Sequence, residues 1–483
     1  MGFVMGETFT EQPVGEIADA DALNPEILGF MCGIEVHQQL ATGKLHSRQK
    51  GELYDVTIDT VPEDWPRYNR RLRAGRGEGG KIDVAARFES LRNRSFTYVQ
   101  SPNAGLIELD EQPPLPHDRD AIDISLTVSA LLQAKPVSLI QTMRKTVVDG
   151  SNTSGFQRTS LISIDGVLST DTGPVGIDLL CLEEDSARKL ETEMTSNGEN
   201  VIYNLDRLGL PLIEIATAPD ITSPQHAKET AIALGRVLRQ TRRVRRGLGS
   251  IRQDLNVSLM CGDRVEIKGC QDLSWIPRII SLEMARQLHF YRLTNELRSS
   301  MNLPLLTPDR RTTDLAIESQ VSAAVAQLLP LDLHDVTNCF TQCTSKMVVN
   351  GLSNGSVMMV LPLANLAGKI GTKQMDNGGS QLPRLGRELA GAAKQAGVKG
   401  VFHSDELPAY GVEADEVKQV RSELKLADSD AFILCLAPRW QAELALESVL
   451  HRARLAWHRI PQEVRNVVVK KGAPEDGTTS PMR

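Results

Sequence analysis

Short apolar runs separated by polar turns make up most of the chain from about residue 33 to residue 257. Three of them, VGIDLLCLEED, LPLIEIAT and IRQDLNVSLM, are rich in isoleucine, leucine and valine, which predicts β-strands. Between the second and the third, a helix is predicted at Ser223–Thr241, with Ser223 as N-cap and Pro224 as first helical residue. Because helices and strands do not alternate regularly, the pattern predicts an α+β fold rather than a doubly wound parallel sheet.

The rest of the chain suggests further segments. A second helix is predicted at about Ile276–Ser299, and a self-contained α+β pattern follows at about Leu331–Pro438. We therefore predict four segments along the chain. They are a mobile N-terminal extension over residues 1–30, a main body over 31–330, an inserted domain over 331–438 and a return to the body over 439–483.

Composition and charge narrow the class of protein. The chain has 41% hydrophobic residues, 24% charged residues and a formal net charge of −7, which is typical of a globular protein. Residues 1–26 are acidic and lack the apolar stretch of a secretory signal. No apolar run approaches the ~18 residues of a membrane-spanning helix. The seven cysteines are scattered and odd in number, so we expect free thiols and a cytoplasmic protein without membrane partners.

One glycine-rich segment resembles a phosphate-binding loop. Gly75–Lys81 satisfies the pattern G-x-x-x-x-G-K. A phosphate-binding loop of this kind follows a strand and places Ser or Thr after the lysine, whereas Ile82 follows Lys81 here and the preceding stretch is basic and polar. We therefore interpret the segment as a flexible basic loop.

Carboxylates in predicted strands give a stronger chemical signal. Glu35 and His37 lie two residues apart in GIEVHQQL, so both side chains should lie on one face of a strand. Glu184 lies at the end of a strand, and Glu214 lies in the middle of an apolar one, where an unpaired carboxylate is costly. From the residues alone, a buried glutamate paired with an arginine and a divalent-cation site with oxygen ligands are about equally good interpretations.

Two further polar segments supply groups that could bind an anion. In Asp149–Thr159, Ser151 and Asn152 together with backbone amides could bind phosphate oxygens, although such a composition more often forms an irregular turn. Farther along, strand alternation predicts a polar face that is either a solvated sheet surface or one wall of a site. Its members are Arg252, Asp254, Asn256, Glu266 and Lys268.

Six segments of the chain together resemble the GatB/GatE family of tRNA-dependent amidotransferase proteins. In order, they are GIEVHQQLATGKL, VVDGSNTSGFQRT, CLEEDSARKL, YNLDRLGLPLIEIATAPD, RGLGSIRQDLNVSL and VEIKGCQDLSWIP. The forms DGSNTSGFQRT and NLDRLG are similar to the archaeal E-type member that acts on glutamyl-tRNA(Gln). The segment 331–438 resembles an inserted domain that this member shares with bacterial-type aspartyl-tRNA synthetases. The resemblance thus implies a cradle-like catalytic body carrying an α+β insert.

The same resemblance implies an ATP-dependent ligase. ATP would phosphorylate the side-chain carboxylate of glutamate mischarged on tRNA(Gln), and ammonia would then displace phosphate to give glutaminyl-tRNA. By motif match, Mg²⁺ would be bound by Glu35, His37, Glu184 and Glu214. The nucleotide and acyl-phosphate pocket would be lined by Ser151, Asn152, Arg252, Asp254, Asn256 and Lys268.

Partners and departures from the family also follow from the resemblance. The chain has no recognisable Ser-Ser-Lys, Cys-His or activated-threonine arrangement with which to make its own ammonia. The resemblance therefore implies an asparaginase-like D-type partner protein that releases ammonia from glutamine or asparagine. Some relatives carry zinc-binding cysteines directly after GKL, where this chain has His46–Gln49, so we expect no zinc there. Relatives continue into helical and tail domains, so we expect a C-terminally truncated form. The alternative interpretation is a non-catalytic tRNA-binding fragment.

Overall fold

The structure is a computed structural model that describes residues 8–71, 94–195, 198–470 and 473–482. The predicted basic loop Gly75–Lys81 lies outside these residues. The chain forms two compact units, which are described separately. Unit 1 consists of residues 1–32, 222–227 and 254–483, and unit 2 of residues 33–221 and 228–253.

The structure contains many strands and helices that do not alternate regularly along the chain, which confirms the predicted α+β class. In chain order the strands are β1 (Met31–Gln39), β2 (Arg67–Arg71), β3 (Ser95–Val99), β4 (Lys135–Pro136), β5 (Thr142–Thr146), β6 (Phe156–Ser169), β7 (Pro174–Glu184), β8 (Arg188–Thr195), β9 (Gly198–Asn204), β10 (Pro211–Thr217), β11 (Ile251–Ser258), β12 (Val265–Cys270), β13 (His334–Asp335), β14 (Val357–Leu363), β15 (Phe402–His403), β16 (Ala431–Ala437), β17 (Glu463–Lys470) and β18 (Ala473–Pro481). The helices are α1 (Arg119–Leu131), α2 (Pro224–Gln240), α3 (Ile276–Ser300), α4 (Leu315–Leu328), α5 (Lys346–Ser353), α6 (Leu385–Gln395), α7 (Ala414–Glu423) and α8 (Arg439–Arg454).

The two helices that the sequence predicts are confirmed. Helix α2 begins at Pro224, and the backbone N–H of His226 donates to Ser223 Oγ at 3.1 Å, as expected of an N-cap. Helix α3 is buried on most of its surface, since its apolar residues extend around the helix rather than forming one stripe. Among the residues that the structure describes, no helix has the length and apolar character needed to cross a bilayer.

Unit 2 contains two sheets. In the first, β1, β10, β7 and β6 follow one another as antiparallel neighbours, and both β4 and β5 pair with β6. In the second the order is β2-β3-β9-β8, with β3 and β9 parallel. Ile213 and Ile215 in β10 are fully buried, because this strand lies between two others and carries large apolar side chains. Glu214 lies between them in sequence, and the candidate site is built around it.

Unit 1 also contains two sheets. Residues 254–258 of β11 begin the order β11-β12-β17-β18, in which β12 and β17 are parallel. The other sheet, β13-β14-β16-β15, consists wholly of residues from the predicted insert. It has its own apolar core, in which Phe340, Phe402 and Phe432 pack with valine and leucine side chains. Helix α8 follows the insert in sequence and packs against β14 and α6. The limits of the two units differ from those of the four predicted segments. The segment limits therefore stay a prediction.

The N-terminal extension makes contacts that its acidic composition does not suggest. Leu23 and Leu28 are buried, the Tyr291 hydroxyl donates to Gln12 Oε1 at 2.9 Å, and Arg292 Nη1 donates to the carbonyl of Gly15 at 3.0 Å. Tyr291 and Arg292 belong to α3. The sequence predicts a mobile segment, whereas residues 8–30 contain enough apolar side chains to pack within unit 1.

Candidate metal centre

Three neighbouring strands of unit 2 bring titratable side chains onto one sheet face. His37 of β1 lies directly opposite Glu214 of β10. Glu214 in turn lies opposite Cys181 of β7, which places Glu183, two residues farther along β7, on the same face. Glu35 shares this face because it lies two residues before His37. The strand register therefore assembles one group of three carboxylates and an imidazole.

The distances within this group suit a small cation. His37 Nε2 lies 3.3 Å from Glu35 Oε1 and 3.6 Å from Glu183 Oε1. Ligand atoms of Glu35, His37 and Glu214 all lie within 4.8 Å of one another. An octahedral ion with ligands at about 2.1 Å separates neighbouring ligand atoms by about 3 Å and opposite ones by about 4.2 Å. Glu35, His37 and Glu214 could therefore close around such an ion with small movements, and Glu183 lies beside them through His37.

Electrostatics favour a cation at the same place. Burial raises the pKa of the Glu183 carboxyl, against a hydrogen bond with Glu214 and the charge of Lys145. Burial also raises the pKa of the Glu214 carboxyl, and the negative charge of Glu183 raises it further. Such shifts mean that several nearby carboxylates cannot all ionise without cost. A divalent cation would remove this cost, so the donors and their charge fit a metal such as Mg²⁺.

Glu184 lies on the other face of β7, because consecutive residues of a strand alternate. Its two carboxylate oxygens each accept a hydrogen bond from Arg158 Nη1 at 3.1 Å, and the pair is buried. Burial raises the pKa of Glu184 while the Arg158 charge lowers it. The structure thus brings Glu183, not the predicted Glu184, to the group around Glu214. The sequence offers both glutamates side by side and gives no register with which to choose.

The segment that contains Ser151 and Asn152 attaches to the end of β7. The backbone N–H and the hydroxyl of Ser151 donate to Asp149 Oδ1 at 2.9 and 2.6 Å, and Asn152 Oδ1 accepts from Ser186 Oγ at 2.8 Å. Gly150 has a φ of +83°, and a Cβ there would lie 2.4 Å from a buried phenylalanine ring. The turn therefore needs glycine at this position, and it holds both predicted residues beside the segment that follows Glu184.

Asp185 is a polar residue whose role the sequence does not indicate. It is 1% exposed, and its Oδ2 accepts a hydrogen bond from Gln39 Nε2 at 2.7 Å. Arg252 Nη2 lies 3.4 Å from Asp185 Oδ1, and Arg207 Nε lies 3.5 Å from Oδ2. The predicted Arg252 is half exposed, so Asp185 orients its guanidinium and leaves part of it accessible to an anion.

The remaining predicted residues belong to unit 1. Lys268 Nζ lies 3.0 Å from Asp254 Oδ2 and 2.5 Å from Glu266 Oε1. Burial lowers the pKa of Lys268, but the hydrogen bonds and charges of these two carboxylates outweigh it and raise the pKa above its usual range. Asn256 is partly buried two residues after Asp254 on β11, so their side chains share a strand face. Unit 1 thus holds a permanently charged ammonium beside two carboxylates.

Comparison with known proteins decides the family. Residues 30–324 match the model of the GatB/GatE catalytic domain. The chain belongs to the GatB/GatE family. It is 41% identical over 464 residues to the E-type component of glutamyl-tRNA(Gln) amidotransferase from Pyrococcus furiosus, which covers 96% of this chain and 67% of that protein. The protein of the same name from Methanocaldococcus jannaschii is 40% identical over 467 residues, 95% of this chain and 66% of that one.

This result confirms the resemblance that the sequence motifs indicate. The GatB/GatE chain spans about two thirds of the length of these relatives. All ten predicted site residues lie within the matched residues 30–324, whereas the predicted insert at 331–438 lies beyond them. The ten residues thus lie within the matched domain, and the role of each stays a prediction.

Proposed function

We propose that this chain is the ATP-dependent component of a cytoplasmic glutamyl-tRNA(Gln) amidotransferase. Its substrate would be tRNA(Gln) charged with glutamate, and its product glutaminyl-tRNA(Gln). The observation that carries the proposal is the group of Glu35, His37, Glu183 and Glu214 on one sheet face, within the residues that match the GatB/GatE catalytic domain. Activation of a carboxylate by ATP needs such a group, because a cation must balance the charge of the phosphates.

The proposed metal ligands are the carboxylates of Glu35, Glu183 and Glu214 together with the imidazole of His37. Mg²⁺ held there would neutralise phosphate oxygens during phosphoryl transfer. Glu184, which the family motif suggests as a ligand, fits better as a positioning residue, because it fixes Arg158 through a buried ion pair.

The nucleotide and acyl-phosphate contacts are proposed from two places. In unit 2, Ser151 and Asn152 offer a hydroxyl and an amide at a backbone turn, and Arg252 offers an accessible guanidinium. In unit 1, Lys268 would contribute positive charge, while Asp254 holds its ammonium and Asn256 offers a hydrogen-bonding amide. Hydrogen-bond donors placed where negative charge develops are the chief means by which proteins assist phosphoryl transfer.

The proposed reaction has two steps. A carboxylate oxygen of the tRNA-bound glutamate attacks the γ-phosphorus of ATP, and the bond to ADP breaks, which leaves a γ-glutamyl phosphate. Ammonia then attacks the acyl carbon, phosphate leaves, and the nitrogen loses a proton to give the amide. The ammonia would come from an asparaginase-like D-type partner protein with glutamine or asparagine as donor. All seven cysteines are buried, and burial together with Glu214 and Glu183 raises the pKa of Cys181 to about 12, so a cysteine nucleophile for a self-contained amidase is disfavoured.

For the insert, we propose selection of tRNA rather than catalysis. Its sequence resembles the inserted domain of bacterial-type aspartyl-tRNA synthetases, and its sheet has an apolar core of its own. Of the potential metal-ligand groups found among the described residues, none lies in the insert. In a deletion variant that still folds without the buried ion pairs of Glu388, loss of residues 331–438 should therefore weaken discrimination among tRNA species more than it weakens ATP cleavage.

The test is ADP formation that depends on both Mg²⁺ and mischarged Glu-tRNA(Gln). Glu214→Gln removes one negative charge from the centre of the group and should reduce turnover by about 100-fold or more. Glu193→Gln is the matched control, because Glu193 is exposed on β8 of the other sheet in unit 2. Normal turnover by a folded Glu214→Gln protein would refute the metal assignment. A wild-type chain that binds tRNA but forms no ADP would favour the alternative of a non-catalytic tRNA-binding fragment.

A further inference from the structure

Unit 1 carries an arginine-lined groove of about 720 Å³ that is separate from every residue assigned above. Four stretches of chain form it: the turn between β11 and β12, the region of the 3₁₀ turn Arg310–Thr312, Glu318 in the first turn of α4, and residues 458–462 before β17. The arginines that line it are Arg264, Arg310, Arg311 and Arg459. We call this feature the arginine groove.

The carboxylates in the arginine groove are already engaged. Glu318 accepts two hydrogen bonds from Arg298 Nη2, at 2.8 and 2.7 Å, and lies 2.7 Å from His458 Nδ1. Asp263 accepts a hydrogen bond from Gln462 Nε2 at 3.1 Å, and it lies 3.8 Å from Arg310. Arg311 is paired with the buried Asp309, whose Oδ2 lies 2.6 Å from Arg311 Nη2. Counting only described residues, the guanidinium groups left without a full counter-charge in the groove are therefore those of Arg264, Arg310 and Arg459.

Two of the guanidinium groups are partly buried, and each has one buried nitrogen with unmet hydrogen-bonding capacity. Within the described part of the chain, Arg310 Nη1 and Arg459 Nε have no hydrogen-bond partner. Arg459 donates instead from its two terminal nitrogens to the backbone carbonyls of Cys261 and Thr307, which fix its plane without neutralising it. Burial lowers the pKa of both arginines, as expected of cations that are desolvated without full compensation. A bound anion would supply the missing acceptors and charge.

We propose that the arginine groove binds backbone phosphates of RNA, and, given the proposed function, those of the tRNA substrate. A planar guanidinium donates two parallel hydrogen bonds to a phosphate, which suits arginine to this role. Several arginines along an open groove fit a chain of phosphates better than a single ion. Apart from His458, the lining has no aromatic side chain on which a base could stack, so contact is expected with the backbone rather than with the bases.

The test is filter binding of uncharged tRNA(Gln) between about 50 and 200 mM salt, a range over which phosphate contacts weaken steeply. The double variant Arg264→Gln/Arg310→Gln should bind about tenfold more weakly at 100 mM salt, and its log–log salt slope should fall by about one to two. The control Arg48→Gln/Arg119→Gln removes the same charge from exposed positions in unit 2 and should keep the wild-type slope. If the double variant misfolds by circular dichroism, the exposed Arg264→Gln alone should lower the slope by about one.

Each outcome bears on the proposal. A double variant that binds tRNA like its control overturns it, whether or not the chain is an amidotransferase. A second arm measures the thermal shift caused by inorganic phosphate at constant ionic strength. Loss of that shift with unchanged tRNA affinity would make the groove a site for free phosphate and overturn the RNA proposal. A wild-type chain that binds no tRNA at 50 mM salt overturns it as well. Because binding of uncharged tRNA needs no chemistry, ADP formation judges the proposed function independently.

Discussion

Replacing Glu183 or Glu184 by glutamine tests the arrangement of the metal centre most directly. The two residues are adjacent in sequence and both nearly fully buried, yet their surroundings differ. Glu183 is hydrogen-bonded to the Glu214 carboxyl and lies 3.6 Å from His37, whereas Glu184 faces the guanidinium of Arg158. In metal-free protein at pH 7, we therefore expect Glu183→Gln to stabilise the fold and Glu184→Gln to destabilise it.

The magnitudes follow from the charges that each substitution leaves behind. Two unit charges about 4 Å apart interact by about 4 kcal/mol at an effective dielectric constant of 20. Because Glu183 and Glu214 are hydrogen-bonded and Lys145 is near, only part of this repulsion remains, and we expect Glu183→Gln to gain about 1 kcal/mol. Removing one partner of a buried ion pair costs about 3–5 kcal/mol. Since the glutamine oxygen still accepts from Arg158, we expect Glu184→Gln to lose about 2 kcal/mol.

The pH dependence has a definite sign. The pKa of Glu183 is raised by burial in the folded state, so the folded protein holds this proton more tightly than the unfolded chain. Its ionisation then lowers stability as pH rises from the unfolded pKa of about 4.3 through the higher folded value. The gain from Glu183→Gln should therefore be present at pH 7 and absent below about pH 4.

Urea unfolding in EDTA and in millimolar Mg²⁺ measures both effects. Mg²⁺ should stabilise the wild type by mass action, and this increment should fall for Glu183→Gln because the ion loses a ligand, which we expect to weaken affinity at least about tenfold. Glu184→Gln should keep most of the increment. If Glu183→Gln loses more stability in EDTA than Glu184→Gln does, or if it retains the full Mg²⁺ increment, the assignment of faces is refuted.

Two predictions concern charges buried in unit 1. Glu388 is 3% exposed and accepts from Arg452 Nη2 at 2.6 Å and from Arg465 Nη2 at 2.9 Å. Glu388→Gln should therefore lower the free energy of unfolding in urea by about 3 kcal/mol. The control Glu443→Gln removes only an exposed ion pair with Arg439 and should lower it by at most about 0.5 kcal/mol. Equal losses for the two variants would contradict the argument. Glu318 is partly buried, which raises its pKa, but hydrogen bonds from His458 and Arg298 lower it to about 2. Its contribution should be complete above the unfolded pKa of about 4.3 and decline towards pH 2, so a Glu318→Gln protein should show a shallower acid limb of stability against pH.

Local sequence determined much of this protein. The alternation of Glu35 and His37, the apolar residues on both sides of Glu214, and the Ser223 cap of α2 are local patterns, and the structure follows them. The family could also be predicted from the sequence, because six motifs in the same order are far more specific than any single residue. Local patterns succeed here since they depend on the geometry of one element only.

The tertiary structure decided which groups meet. Glu183 and Glu184 are chemically identical, and the register of β7 against β10 selects between them, because a shift of one residue turns a side chain to the other face. Strand register depends on the packing of the whole sheet, so it cannot be predicted from the sequence of a single strand. The arginine groove likewise joins positions nearly 200 residues apart in sequence, Arg264 and Arg459 among them. No periodicity connects such positions, so only the folded chain brings their charges together.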